Sequence, residues 1–233
     1  MIYPKFFKNG QKVQLKAKQP LPPEGHNERL SAIVEGCDDL SFHLRLPYGK
    51  NAVEQYPFAA DMLFELSADA LGLGVKAQVA FDRPLSGNLI RVEIQPGLEM
   101  FQRRAQPRLD CTLGMRFTRS LQSLKSMRES WRKNAEFLQN AEQPPQLKGF
   151  IPCEMNLSTG GVRFSMNPPA TVSDLCLMLI DLDDTKVPVC ALAEIIWTEE
   201  QFESKMLRTG LQFISILDQD QKRIENYIQT QRK

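Results

Sequence analysis

LDCTLGMRF, residues 109–117, alternates apolar and polar side chains without interruption. Successive side chains of an extended strand point to opposite sides, so every second residue shares one face. The apolar face would hold Leu109, Cys111, Leu113, Met115 and Phe117. The stretch therefore predicts a β-strand that is buried on one side and opens a domain.

Short strand-like runs continue after this stretch, and turn residues separate them. They are residues 150–156, 161–166, 175–181, 187–197 and 207–213. Regularly spaced short strands are typical of a small β-barrel. A final segment places Ile224, Tyr227 and Ile228 on one face and predicts a short C-terminal helix against the barrel.

An amphipathic helix is predicted over residues 120–140, inside this second domain. Its apolar residues recur every three or four positions: Leu121, Leu124, Met127, Trp131, Ala135 and Leu138. Ser120 is a candidate N-cap, and Pro144 and Pro145 would end the helix. We expect the apolar stripe to pack on the barrel or on a second subunit.

The first hundred residues repeat the strand pattern. The runs are residues 13–18, 30–36, 40–47, 62–67, 73–81 and 88–96, and in 40–47 the leucines and Phe42 are expected to face inward, Leu40 included. Pro96 and Gly97 would end the series. The fold class is thus mainly β, with two tandem small barrels: a domain over 1–98, a linker over 99–108 and a second domain over 109–233.

Length and composition fit a folded protein of two domains, with 233 residues and 42% hydrophobic residues. No apolar run reaches the roughly 20 residues of a membrane-spanning helix, and the first residues do not resemble a signal peptide. The five cysteines are widely spaced and form no CxxC pair, which favours buried thiols and no metal site. We expect a cytoplasmic protein without membrane insertion, metal or cofactor.

Positive charge is concentrated in one segment although the net charge is only +1. Residues 103–133 contain nine basic and two acidic side chains, so the segment carries +7 and the remainder −6. Such a segment can attract a compact anion, an acidic partner or a phosphate backbone.

Catalytic patterns are weak. Only two histidines occur; we place His26 in a proline-flanked loop and His43 on the polar face of a strand. GLGV at 72–75 lacks the spacing of a dinucleotide loop, and the aspartates of IDLDDT (180–185) are interpreted as a solvated turn. The sequence therefore predicts a protein that is not an enzyme.

Two short motifs remain. Arg104 and Arg108 form RxxxR, and within NLSTGG (156–161) the residues Asn156, Ser158 and Gly161 form NxSxxG. Taken singly, the first is a solvated basic linker and the second a hairpin turn, in which Gly160 and Gly161 would permit positive φ and close approach of another group.

In this order the two motifs resemble those of the PilZ domain, a family of bacterial receptors for cyclic di-GMP. AEIIWTEE (193–200) followed by RTGLQF (208–213) also resembles the late strands of PilZ barrels. The N-terminal half resembles the companion domain of YcgR-type flagellar brake proteins. The helix over 120–140 would be an insertion beyond the compact PilZ pattern.

The resemblance implies a cyclic di-GMP site made of Arg103, Arg104, Arg108, Asn156, Ser158, Gly160 and Gly161. An arginine fork can bond the O6 and N7 edge of guanine bidentately, stack on the base or pair with phosphate. Asn156 and Ser158 would complete the hydrogen bonds. An arginine at the place of Arg103 is associated in the family with two stacked ligands.

The resemblance further implies a receptor that changes its interdomain arrangement on binding and signals to a protein partner, such as the flagellar motor, to control motility or biofilm formation. DNA binding is not expected, and dimerisation stays open. Two alternatives remain: a PilZ-like structural or interaction protein without ligand, and a phosphate- or RNA-binding protein that uses residues 103–133.

Overall fold

The computed structural model describes residues 2–19, 25–70, 72–102, 107–120, 123–140, 147–201 and 204–232. The chain divides into two compact units. One comprises Met1–Leu21, Glu28–Ala105 and Ser123–Lys125, and the other Pro22–Asn27, Gln106–Gln122 and Ser126–Lys233. Each unit is built on antiparallel strands, which confirms the mainly β fold class.

The first unit is a closed barrel of six strands. After helix α1 (Tyr3–Phe6) come β1 (Lys12–Ala17), β2 (His26–Cys37), β3 (Ser41–Arg45), β4 (Leu63–Ala70), β5 (Leu73–Pro84) and β6 (Leu89–Phe101), with a 3₁₀ turn over Ala52–Gln55. The strand order is β1-β4-β5-β6-β3-β2, and pairing of β1 with β2 closes the barrel. Leu15, Phe42, Phe64 and Ile90 are fully buried inside it.

Three expectations for the N-terminal half are wrong. Leu40 is 75% exposed because the Asp38 carboxylate accepts the N–H groups of Leu40 and Ser41, which makes a turn before β3. His26 is the first residue of β2 instead of a loop residue.

The third concerns Pro96 and Gly97, which do not end the strand series. The register between β5 and β6 shifts between Ala77 and Gln78, so that residues 96 and 97 form a bulge and Gly97 takes φ 120°. A bulge tolerates a residue without an N–H and bends the strand without ending it. As a result β6 continues to Phe101, and residues 99–101 of the predicted linker lie in a strand.

The second unit is also a closed six-stranded barrel. Its strands are β7 (Leu109–Ser120), β8 (Ile151–Ser158), β9 (Gly161–Met166), β10 (Leu175–Asp181), β11 (Val189–Glu200) and β12 (Leu207–Leu217). Their order is β12-β11-β10-β7-β8-β9, and β9 pairs with β12 to close the barrel. The terminal helix α3 (Asp218–Gln231) buries Ile224 and Ile228 in the barrel core, as predicted.

Helix α2 (Leu124–Gln139) occupies the predicted insertion. Met127, Trp131, Ala135 and Leu138 are buried, and the Trp131 indole N–H donates to the carbonyl of Cys190 in β11 at 3.1 Å. Ser120 is not its N-cap, because Ser120 is the last residue of β7. In the part of the chain that is described, no helix has the length and apolarity needed to cross a membrane.

Candidate functional site

A row of polar side chains crosses the outer face of the second barrel. Asp110 in β7 pairs with Asn156 in β8, and Asn156 pairs with Arg163 in β9. Their chain neighbours Leu157 and Val162 belong to the barrel core, so the alternation of each strand turns the three polar residues outward. Asp110, Asn156 and Arg163 are called the polar row below.

Hydrogen bonds hold the polar row together. The amide nitrogen Nδ2 of Asn156 donates to Asp110 Oδ1 at 2.8 Å, and Arg163 Nη2 lies 3.4 Å from the same oxygen. The Asp110 side chain is 81% exposed and that of Arg163 is 42% exposed. The row therefore offers an amide, a carboxylate and a guanidinium to solvent on one surface.

Arg108 extends this surface. It is exposed and immediately precedes β7, two residues before the outward-facing Asp110. Leu109 pairs with Leu157, and continuing that register by one residue places Arg108 opposite Ser158. Arg103 and Arg104, the other two predicted arginines, lie outside the described residues. Among the predicted polar residues, the fold brings Arg108, Asn156 and Ser158 onto one surface.

The NLSTGG turn joins β8 to β9. Ser158 Oγ donates to the Gly161 carbonyl at 3.0 Å, and the Phe213 N–H donates to the Gly160 carbonyl at 2.9 Å. The two glycines do not have the positive φ that was expected for the turn. A Cβ on Gly161 would lie 2.2 Å from the Leu211 carbonyl oxygen, whereas a Cβ on Gly160 would meet no atom within 4 Å. Close packing on β12 is thus what requires glycine at 161.

The same turn is bonded to helix α3. Gln221 Nε2 donates to the Thr159 carbonyl at 2.9 Å, and Asn27 Nδ2 donates to Gln221 Oε1 at 2.8 Å. Thr159 is buried. The turn, the terminal helix and Asn27, all in the second unit, therefore share one chain of hydrogen bonds.

Sequence reasoning missed Asp110, Arg163 and Gln221. A local signal existed for the first two, because each lies two residues from a motif residue in a strand, Asp110 from Arg108 and Arg163 from Gly161. Gln221 is 62 residues from Thr159, and no local pattern predicts a pairing at that separation.

The aspartates of IDLDDT do more than form the solvated turn that was predicted. Arg223 donates to Asp184 at 2.8 and 3.0 Å and to buried Asp220 at 2.8 Å. Burial of Asp184 opposes ionisation, but the Arg223 hydrogen bond and charge outweigh it and lower the pKa of Asp184. Burial raises the pKa of Asp220 in spite of Arg223. This cluster fastens the loop after β10 to α3.

The cysteines are free thiols. Cys176 and Cys190 are buried, while Cys37, Cys111 and Cys153 are half-buried, so the expectation of buried thiols holds for two of the five. Burial raises the pKa of Cys176 to about 12, which keeps this thiol protonated and unreactive at neutral pH.

The family model of the PilZ domain matches residues 102–230, which contain the second barrel, the NLSTGG turn and all of helix α3 but its last residue. The chain belongs to the PilZ family. PilZ domains are ligand-binding effector domains of cyclic di-GMP signalling and not enzymes. The family assignment made from the two motifs is therefore confirmed, and a separate barrel precedes the PilZ domain as expected.

Solved structures similar to this chain include those of three proteins. The Bacillus subtilis inhibitor of motility MotI/DgrA is 13% identical over 97% of either chain, with a TM-score of 0.39. Escherichia coli YcgR in complex with c-di-GMP is 11% identical over 96% of this chain and 84% of that one, with a TM-score of 0.35. Apo MrkH from K. pneumonia is 12% identical over 94% of this chain and 86% of that one, with a TM-score of 0.37. A search of curated protein sequences found no match.

Proposed function

We propose that this PilZ protein is a receptor for cyclic di-GMP. The observation that supports it is the shared outer surface of Arg108, Asn156 and Ser158 at the NLSTGG turn. Cyclic di-GMP carries two phosphates and two guanines, so its recognition needs cations together with donors and acceptors for base edges. Arginine serves both purposes because its planar fork matches phosphate oxygens and the O6 and N7 edge of guanine.

The hydrogen bonds of the free protein leave capacity for a ligand. Ser158 uses its hydroxyl hydrogen on the Gly161 carbonyl, so its oxygen can still accept from a guanine N–H. Asn156 donates one amide hydrogen to Asp110, and its second amide hydrogen and its side-chain carbonyl oxygen can bind a ligand. Arg103, Arg104 and Arg108 would approach the ligand from the segment before β7, while Gly160 and Gly161 supply the backbone of the turn.

Binding is proposed to act by population shift. A ligand moves an equilibrium only by its differential affinity for two states. In this proposal the bound dianion would bring together the guanidinium groups of Arg103, Arg104 and Arg108, and this would favour the bound arrangement of the two domains. The output would be read by a protein partner, such as the flagellar motor, in control of motility or surface attachment.

Arg104→Ala and Arg108→Ala are each expected to weaken cyclic di-GMP binding roughly 5- to 150-fold, because one bidentate guanine contact is worth about 1–3 kcal/mol. Isothermal titration calorimetry measures the change. Arg116→Ala is the matched control, since Arg116 is an exposed arginine of β7, the strand that follows Arg108, and donates to the Lys148 carbonyl. Unchanged affinity for cyclic di-GMP in both motif variants would contradict the proposed site.

Binding that depends steeply on salt concentration and shows no preference for guanine would instead favour the phosphate- or RNA-binding alternative.

Arg103→Ala is expected to reduce the ligand stoichiometry from two to one per protomer. Two stacked ligands bring together four phosphate charges, and a third guanidinium both offsets that charge and stacks on an exposed base. Calorimetric stoichiometry checked by native mass spectrometry gives the count. One ligand per chain in the unsubstituted protein at saturation would refute this role and leave the sites of Arg104 and Arg108 intact.

A further inference from the structure

We propose that Arg163 is a further ligand-binding residue of this site and that Asp110 is the counter-ion it holds in the ligand-free protein. The inference rests on the proposed cyclic di-GMP function. It assigns binding roles to two residues that lie outside both sequence motifs.

The position of Arg163 supports a direct contact with ligand. Arg163 pairs with Asn156 across β8 and β9, and both point outward next to the NLSTGG turn. On the opposite side of Asn156, Asp110 lies on the same outward surface in β7, and the exposed Arg108 immediately precedes that strand. A dianion seated over Asn156 therefore has a guanidinium available on either side, Arg108 from the residue before β7 and Arg163 from β9.

The Asp110 carboxylate occupies the groups that a phosphate would use. Its Oδ1 accepts from Asn156 Nδ2 at 2.8 Å and lies 3.4 Å from Arg163 Nη2. A phosphate oxygen binds the same amide and guanidinium donors by the same charge-assisted hydrogen bonds. Ligand and Asp110 thus compete for Arg163, and the released carboxylate also repels the bound phosphates.

The ion pair between Asp110 and Arg163 is expected to add little to the free energy of unfolding. An exposed pair of this kind contributes little to folding because solvent screens it. Arg208 and Glu199, which pair at 3.4 Å between β12 and β11, form an ion pair of the same length with side chains 47% and 63% exposed. Along β12, Arg208 pairs with Ser165 of β9, four residues beyond Gly161, which pairs with Gln212. This second ion pair therefore serves as an internal reference for any general effect of removing a surface charge from this face.

The test is calorimetry of the full-length protein with cyclic di-GMP at fixed ionic strength. Arg163→Ala is expected to weaken binding about tenfold or more, because it removes a hydrogen bond to a charged group. Asp110→Asn is expected to tighten binding about 2- to 10-fold, because the resident anion is gone and the side chain keeps its shape. The reference variants Arg208→Ala and Glu199→Gln should change affinity by less than about twofold.

Each outcome decides between the two proposals. If Arg163→Ala and Arg208→Ala have equal effects, Arg163 does not contact the ligand; if Asp110→Asn weakens binding, Asp110 does not compete with it. Either result overturns this inference while the receptor function stands. A protein with all native residues that binds no cyclic di-GMP overturns the proposed function, and this inference with it. Thermal melting of each variant verifies that the barrel remains folded.

Discussion

Gly161→Ala is expected to destabilise the second barrel by about 3 kcal/mol and to reduce ligand binding along with it. The added Cβ would lie 2.2 Å from the Leu211 carbonyl oxygen and 3.1 Å from the Gln212 Cα. These are backbone atoms of β12, which cannot rotate away as the end of a flexible side chain does. Relief requires β9 and β12 to separate at the pairing that closes the barrel.

Gly160→Ala is the matched control, because it makes the same chemical change at the adjacent position. A Cβ there meets no atom within 4 Å. The free energy of unfolding of the Gly160→Ala variant should stay within about 1 kcal/mol of that of the unsubstituted protein. At a φ that alanine can adopt, the substitution mainly reduces the entropy of the unfolded chain. Urea denaturation of both variants compares them. Equal midpoints would show that the contact with β12 does not explain the glycine at 161.

Trp131→Ala is expected to lower stability by about 3–5 kcal/mol, the usual cost of truncating a buried large aromatic residue. The Trp131 side chain is 2% exposed, and its indole N–H satisfies the Cys190 carbonyl of β11. Its ring also packs on His26, with centroids 5.0 Å apart. Removing it leaves a cavity under α2 and takes away one hydrogen bond of the Cys190 carbonyl.

Two further variants separate these contributions. Trp131→Phe keeps most of the ring and loses the hydrogen bond, so it should cost less than the alanine variant. Phe137→Ala removes an aromatic residue of the same helix that is 58% exposed, and it should change stability by less than about 0.5 kcal/mol. Differential scanning calorimetry gives the comparison. A Trp131→Ala protein as stable as Phe137→Ala would mean that the burial and hydrogen bond of Trp131 do not stabilise the folded barrel.

Local alternation predicted most strands because each inward position of a barrel strand must be apolar. LDCTLGMRF became β7 with its apolar residues toward the core, and the stripe of α2 was found from its spacing alone. The prediction that Leu40 faces the core is wrong because the Asp38 carboxylate accepts the Leu40 N–H and forms a turn there. Pro96 and Gly97 were misread because a bulge depends on the partner strand, which sequence does not reveal.

The candidate site was predictable to the extent that its motifs are contiguous. NLSTGG lies in one hairpin, so Asn156, Ser158 and the two glycines were found together. Asp110 is 46 residues from its hydrogen-bond partner Asn156, and only the register of β7 against β8 brings them together. The sequence also could not show why residue 161 must be glycine, because the atom that excludes a Cβ there, the Leu211 carbonyl oxygen, belongs to β12.

If a ligand binds at the NLSTGG turn as proposed, the hydrogen bond from Gln221 to Thr159 makes its affinity depend on helix α3 as well as on the site. Thr159 lies between Ser158 and Gly160, so any displacement of the turn by a ligand changes the free energy of the Gln221 contact. Coupling of this kind is reciprocal for binding free energies. Under the proposed function, a protein that binds α3 and shifts Gln221 would therefore alter the affinity for cyclic di-GMP by the same factor by which cyclic di-GMP alters the affinity for that protein.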